Sequence, residues 1–305
     1  MTRRILVLMG GLSREREVSL VSGAAVAAAL RDAGHDVRTH DLSRDVGALV
    51  RELERDRPDV VFNALHGRYG EDGCVQGLLE LMGIAYTHSG VRASAMAMDK
   101  PSAKRAVEQA GLRTPRGRVL RRADFEAGDP LPRPYVVKPV AEGSTIGVAV
   151  VAEGDNRDWA QAWSFGDVAL AEEYIPGREL TVGVMGDRAL AVTEIRFEGS
   201  AFGYTAKYTA GHAEHVLPAP LPAEVYDAAM DAALAAHRAL GCSGVSRSDF
   251  RYDPRRPGRD GLYFLEINTQ PGFTPLSLVP EQARHLGIGF AQLCEWLVGE
   301  ARCHA

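Results

Sequence analysis

The N-terminal part of the chain alternates short apolar runs with amphipathic segments. Ile5 to Met9 is unbroken apolar sequence inside a strand over 4–9, the pattern of a parallel strand covered on both faces, and it ends at Gly10-Gly11. An alanine-rich helix from about Glu17 to Ala33 follows and stops at Gly34. Val37 to Asp41 reads as a second strand, Val46 to Arg55 as a helix, and Val60 to Leu65 as another buried strand. That strand runs into the polar loop 66–73, and Val75 to Met82 is helical. Strands alternating with helices predict an open, mostly parallel sheet. Such sheets bind ligands at the carboxyl ends of their strands, and the glycine-rich loops 10–16 and 66–73 both lie on that edge.

The pattern changes near residue 95. A helix opens at Asp99-Lys100 and runs to about Ala110, followed by short strands at Arg118–Leu120, Tyr135–Lys138, Gly147–Val151 and Val168–Tyr174. From about Glu179 the strands read as antiparallel: Leu180–Met185, Ala189–Phe197, then an irregular stretch from Glu198 to Val216. A long helix, Ala223 to Leu240, ends at Gly241; strands at Val245–Tyr252 and Leu262–Ile267 and a closing helix at Gly289–Gly299 complete the chain. The fold class is therefore α/β, turning to α+β in the C-terminal half, with expected divisions at 1–95, 96–178 and 179–305.

Composition narrows the function classes. The chain has 305 residues, 46% of them hydrophobic and 25% charged, which suits a folded protein of about two or three domains rather than a disordered one. No apolar run approaches the roughly 18 residues of a membrane-spanning helix. The five apolar residues after Arg3-Arg4 are also too few for the core of a secretory signal. A formal charge of −5 offers no general attraction to polyanions, so neither nucleic acid nor an anionic membrane is an expected partner. Cys74, Cys242, Cys294 and Cys303 are scattered, and read as reduced thiols of a cytoplasmic protein.

The terminal strand pair is the most informative for chemistry. Residues two apart share a strand face, so Glu266 and Asn268 point one way while Leu265 and Ile267 point into the core. On the partner strand, Arg247 and Asp249 share a face. If residues 253–261 close a hairpin, Asp249 lies opposite 265–267, and two carboxylates and an amide oxygen converge. Such hard oxygen donors suit Mg²⁺, with other positions left for water and phosphate. A solvated polar face is the simpler reading of an amphipathic hairpin, but Thr269-Gln270-Pro271-Gly272 sets a backbone turn beside the cluster.

The loop 141–147, with two glycines, a serine and a threonine, can wrap a polyphosphate, and Lys100 and Lys138 can supply point charges to it. Neither a P-loop nor a dinucleotide fingerprint is present. Taken singly, each lysine reads as a solvated charge and the loop as an ordinary hairpin. Glu15 and Glu17 stand where carboxylates commonly cap a helix, and alternatively one of them captures a ligand ammonium. His66 is placed either to touch the same ligand or to bond only to backbone.

Seven motifs, in this order, resemble the D-alanine–D-alanine ligases of the ATP-grasp superfamily: GGLSREREVSLVSG (10–23), ALHGRYGEDGCVQGLLELMGIAYTHSGV (64–91), MDK (98–100), VVKPVAEGSTIGV (136–148), AKY (206–208), SRSDF (246–250) and LEINTQPGFTPLSLVP (265–280). The likeness spans the chain. It implies an N-terminal α/β domain followed by a two-part ATP-grasp fold, a homodimer, ATP and D-alanine as substrates, and two Mg²⁺ (or Mn²⁺) ions. Lys100, Lys138 and Lys207 match the lysines on phosphates, Glu172 and Ile175 the adenine contacts, and Glu179 the ribose contact. Asp249, Glu266 and Asn268 match the metal ligands. Glu15 matches the residue that holds the first D-alanine, Arg247 and the Gly272 backbone the oxyanion pair, and Ser277 and Leu278 the carboxylate site of the second. Ser144 and Tyr208 resemble the link from Glu15 across the site, and tyrosine at 208 goes with an amine acceptor.

Two positions depart from the family pattern. His88 stands where glycine is familiar and reads as a surface variation; Thr205 replaces a common acidic residue in the expected lid, 198–216. Rival readings are a ligase with another acceptor, or a sensor on the same scaffold, for which intact metal ligands are unnecessary. A nicotinamide oxidoreductase fits only the N-terminal part and lacks the glycine spacing.

Overall fold

Strand β1 (Arg4–Gly10) forms the centre of a three-stranded parallel sheet, flanked by β2 (Asp36–Leu42) and β3 (Val60–Asn63) in the order β2-β1-β3. Alternate residues of β1 feed opposite cores. Ile5 and Val7 pack with Val26, Ala27 and Leu30 of α1 (Arg16–Asp32), and Leu6 and Leu8 with Leu49 and Leu53 of α2 (Val46–Arg55). Burial on both faces is why the strand is a continuous apolar run rather than an alternating one. The computed structural model describes residues 1–126, 128–142, 147–155, 161, 163–197 and 213–304.

After α3 (Cys74–Leu81), the helices α4 (Val91–Met98) and α5 (Lys100–Gln109) lead into the second layer. The Asp99 side chain accepts from Ser102 N and so caps α5, whose first turn takes Pro101 at no hydrogen-bonding cost. The second sheet is antiparallel, ordered β4-β7-β5-β6: β4 (Gly117–Leu120), β5 (Tyr135–Pro139), β6 (Ala149–Val151) and β7 (Ala169–Glu173), with the short helix α6 (Arg122–Glu126) after β4. Its core of Leu120, Tyr135, Val137, Val151, Ala169 and Ala171 is small.

The third sheet, β10-β9-β8-β11-β12, is also antiparallel. It comprises β8 (Arg178–Met185), β9 (Arg188–Phe197), β10 (Ala213–Val216), β11 (Val245–Tyr252) and β12 (Leu262–Asn268). Helix α7 (Ala223–Leu240) lays an alanine face, Ala229, Ala233 and Ala236, over Leu180, Val182, Phe250 and Phe264. Gly241 ends α7 at φ +71°, a left-handed cap that glycine adopts without penalty. Helices α8 (Leu278–His285) and α9 (Phe290–Glu300) follow, and Leu293 and Leu297 of α9 pack with Ile5 and Val26 of the first sheet.

Several segments differ from the sequence expectation, among them helices α4 and α6, which it did not include. The end of the stretch read as irregular, 213–216, is strand β10, paired to β9. Helix α8 was not expected. Its Pro280 lies in the first turn, where the missing N–H has no helical partner, so the proline is tolerated. Among the described residues no helix is long and apolar enough to cross a membrane.

Candidate active site

The β11–β12 hairpin carries a bulge at Leu265. Asp249 pairs with Glu266 and Arg247 with Asn268, but Phe250 pairs with Phe264, so the register shifts by one residue between them. The expectation that Leu265 points into the core is therefore corrected. Leu262, Phe264 and Ile267 enter the core cluster, and Leu265 absorbs the change of phase. A regular strand over these same residues would place Glu266 and Asn268 on the buried face of Leu262 and Phe264.

On the opposite face, Arg247 grips Asp249 with two bonds of 3.0 Å, and Thr181 Oγ1 donates to Asp249 Oδ1 at 2.7 Å. Burial alone would lower the pKa of Arg247, but Asp249, with a smaller contribution from Glu266, raises it above its ordinary value. Lys100 Nζ lies 3.4 Å from Glu266 Oε2 and donates to the carbonyl of Glu142 at 2.7 Å. Asn268 Oδ1 accepts from Gln270 N at 2.7 Å, which ties the strand end to the following turn. Cations thus already face both carboxylates, as the chemistry of a hard-oxygen donor set requires. Among the described residues no three His, Cys, Asp or Glu side chains gather closely enough to hold an ion by themselves. The residues present fit an ion that shares its shell between two carboxylates, one amide oxygen and a ligand's own oxygens.

A second charged group lies inside the middle sheet. Glu172 is buried between Lys104 and Lys138; Lys138 Nζ stands 2.5 Å from Oε2, and Lys104 bonds to Oε1 and to the Pro115 carbonyl. Burial alone would raise the pKa of Glu172, but the two lysines hold it below the usual carboxylate range. Buried Ile175 offers its carbonyl to Arg251 Nε at 3.1 Å, and Arg251 Nη1 is 3.7 Å from Glu179 Oε2.

The edge of the first sheet closes the site. Glu15 precedes α1 without capping it through its side chain, and a methyl group on Gly67 would stand only 2.7 Å from its Oε2. The carboxylate therefore lies against the loop that follows β3. His66 is buried, with Nε2 3.1 Å from Ser22 Oγ and Nδ1 3.4 Å from Glu71 Oε1 and 3.3 Å from the Gln270 carbonyl. Its ring nitrogens are engaged by protein. Gly272 lies beside Ser277: a methyl group there would be 3.3 Å from Ser277 Oγ. Arg247, Pro271, Gly272, Ser277 and Leu278 line one cleft of about 230 Å³. Ser144, Lys207 and Tyr208 lie outside the described residues.

The profile for the C-terminus of the D-ala D-ala ligases matches residues 107–299, and that for the N-terminus matches 45–89. The D-alanine–D-alanine ligase of Acidiphilium cryptum is 58% identical over 303 residues, 99% of each chain. The chain belongs to the D-alanine–D-alanine ligase family. The ligase also shares its fold with the Bacillus anthracis enzyme complexed with ATP (TM-score 0.82, 29% identity, 98% of this chain and 97% of that one). The VanG D-Ala:D-Ser ligase of Enterococcus faecalis superposes with a TM-score of 0.80 at 31% identity, covering 98% and 99% of the chains. The mixed parallel and antiparallel sheets match the ATP-grasp fold of these relatives.

His88 of the ligase is not a surface variation. It is 4% exposed, at φ +72°, with its ring edge-on to Phe62 and to Phe273, centroids 5.7 and 6.0 Å apart. Burial, with a smaller contribution from His66, pushes its pKa down to about 3, and its Nδ1 has no hydrogen-bond partner among the described residues. Sequence reasoning also missed Lys104, Thr181 and Gln270. The signal for Lys104 was available: it follows Lys100 by four positions on α5 and shares its face. Nothing in the sequence marks Thr181, which reads as an ordinary strand residue.

Proposed function

We propose that the ligase joins two D-alanine molecules with ATP, through an acyl phosphate, releasing ADP and phosphate, and that the dipeptide serves peptidoglycan synthesis. The observation that carries this reading is the approach of Lys100 to Glu266, which is itself the register partner of Asp249. A lysine and the paired oxygen donors thus come together at one place, as the binding of a metal–triphosphate would need. Family membership and the ATP-bound relative support it.

In this reading Lys100 and Lys138 bind phosphate oxygens, while Glu172, Ile175 and Glu179 contact the nucleoside. Lys138 must leave Glu172 to reach phosphate, and Lys104 then remains as the carboxylate's counter-ion. Asp249, Glu266 and the Asn268 amide oxygen would hold Mg²⁺, which when bound supplies charge neutralisation to the phosphates. Glu15 holds the ammonium of the first D-alanine, and His66 keeps the 66–73 loop and the 269–272 turn in place beside it. A free carboxylate resists attack by an amine because oxide is a poor leaving group; phosphorylation supplies a better one. Arg247 and the Gly272 N–H then stabilise the tetrahedral oxyanion, each such donor contributing about 10²–10³ in rate. Ser277 and Leu278 receive the carboxylate of the second D-alanine. Ser144, Lys207 and Tyr208 keep the roles that the resemblance implies.

Phosphate release from ATP in the presence of D-alanine, with L-alanine as control, and mass analysis of the product test the reading. Release with D-alanine and a dipeptide product are expected; absence of both would overturn it. The likeness to a D-Ala:D-Ser ligase favours one alternative, a different acceptor, which a panel of amino and hydroxy acids decides.

A further inference from the structure

The cleft beside Gly272 has a member that comes from another strand. His215 of β10 lines it together with Arg247, Gly272, Ser277 and Leu278. Its Nδ1 lies 2.9 Å from Oε2 of Glu281, in the first turn of α8, four residues after Ser277. Among the described residues no hydrogen bond engages its Nε2. The imidazole and carboxylate are 30% and 24% exposed, so both are reachable from the cleft. An imidazole held through one nitrogen by a carboxylate keeps the other nitrogen oriented for a proton. The other described side chains of the cleft offer no such group: Arg247 is a cation bound to Asp249, Ser277 Oγ pairs with Thr274, and the rest are apolar or backbone.

We propose that His215, oriented by Glu281, takes the proton that the acceptor's ammonium must lose before its nitrogen attacks. This rests on the ligation reading above. The ammonium of the second amino acid gives one proton to Nε2, leaving a neutral amine and an imidazolium paired with Glu281. The amine's lone pair forms the C–N bond to give the tetrahedral oxyanion, which then collapses as the C–O bond to phosphate breaks. The second proton of the attacking nitrogen leaves with the phosphate, giving amide and hydrogen phosphate. His215 then releases its proton to solvent.

Beside His215 on β10, Glu214 lies 4.0 Å from Arg196 of β9. Glu281 faces His215 from α8 and Arg247 from across the cleft on β11. On β9 its register partner is Ile195, flanked by Glu194 and Arg196, and Glu194 is bound by Arg178 and Arg196.

Two variants, His215→Gln and Glu281→Gln, are assayed in the full-length enzyme with two nucleophiles: D-alanine, and hydroxylamine, which is largely uncharged at neutral pH and needs no base. His215→Gln is expected to lower dipeptide formation at neutral pH by about 10²-fold, since a positioned base contributes about 10²–10⁴. The defect should shrink toward alkaline pH, where more of the acceptor is already neutral, and hydroxamate formation from D-alanine should match wild type. Glu281→Gln should show the same pattern, less deeply. Wild-type dipeptide rates in His215→Gln would overturn the proposal. So would an equal fall in dipeptide and hydroxamate, which would mean that the pair only fastens β10 to α8. Wild-type enzyme that makes neither product would instead defeat the ligation reading itself.

Discussion

Lys138 Nζ stands 2.5 Å from Glu172 Oε2, so the proposed phosphate-binding lysine and the proposed adenine-binding carboxylate hold one another across the middle sheet. Both side chains are buried, and Lys104 completes the group from α5. Two lysines around one carboxylate leave a net positive charge, which suits the arrival of a polyanion.

Glu172→Gln removes the only anion of that group while leaving its shape. Uncoupling a buried ion pair by losing one partner costs about 3–5 kcal/mol. The variant should unfold at lower urea concentration and show a raised KM for ATP. Chemical denaturation and an ATP titration check the two effects separately. Because the folded-state pKa of Glu172 is depressed, its contribution to stability is present above the unfolded carboxylate pKa and is lost as pH falls through the folded value.

Acidification should also destabilise the ligase through two buried histidines. His88 stays neutral down to about pH 3 and His237 down to about pH 4, whereas unfolded histidine gains its proton near 6.5. Between those values the unfolded chain binds more protons, so stability falls as pH drops, by about 1.4 kcal/mol per pH unit for each histidine. His88→Leu should flatten the dependence by one histidine's share. Urea midpoints measured across this range, converted with the measured slopes, decide it; an identical slope in the variant would refute the assignment to His88.

Deleting Leu265 should lower activity more than Leu265→Ala. The deletion leaves Glu266 and Asn268 on their present face but removes the kink and added twist with which the bulge aims them. Leu265→Ala keeps the backbone count and the register. Activity and thermal melting of the two variants give the comparison.

Asn268→Ala should raise the Mg²⁺ concentration needed for half-maximal rate and cut turnover by at least about tenfold. It removes a proposed ligand and also the acceptor of the Gln270 N–H. Magnesium titrations at saturating ATP provide the test. A metal requirement like that of wild type would exclude the amide as a ligand.

Much of this geometry was legible in the sequence because periodicity and hairpin closure are geometric. The helices over 46–55 and 223–240 and the strand over 245–252 were read at their observed bounds, since capping residues or abrupt changes of pattern mark them. Asp249 was expected opposite 265–267 and pairs with Glu266. What the sequence concealed was exceptions to period. The bulge at Leu265 has no compositional mark. Helix α8 carries a proline in its first turn. His88 looks polar and hence exposed, yet two phenylalanines enclose its ring. The contact of Lys104 with Glu172 joins α5 to β7, and no local pattern predicts which helical lysine meets which strand carboxylate.

The knot of polar contacts around His66 joins segments distant along the chain: Ser22, Glu71 and the Gln270 carbonyl meet on one ring, and the Gln270 amide returns a bond to the carbonyl of Leu65. A chimaera that took its first ninety or so residues from one homologue and the remainder from another would inherit that seam half-matched. Recombination within this family should therefore succeed most often when the 63–73 loop and the 265–273 turn come from the same parent, however similar the rest of the two genes.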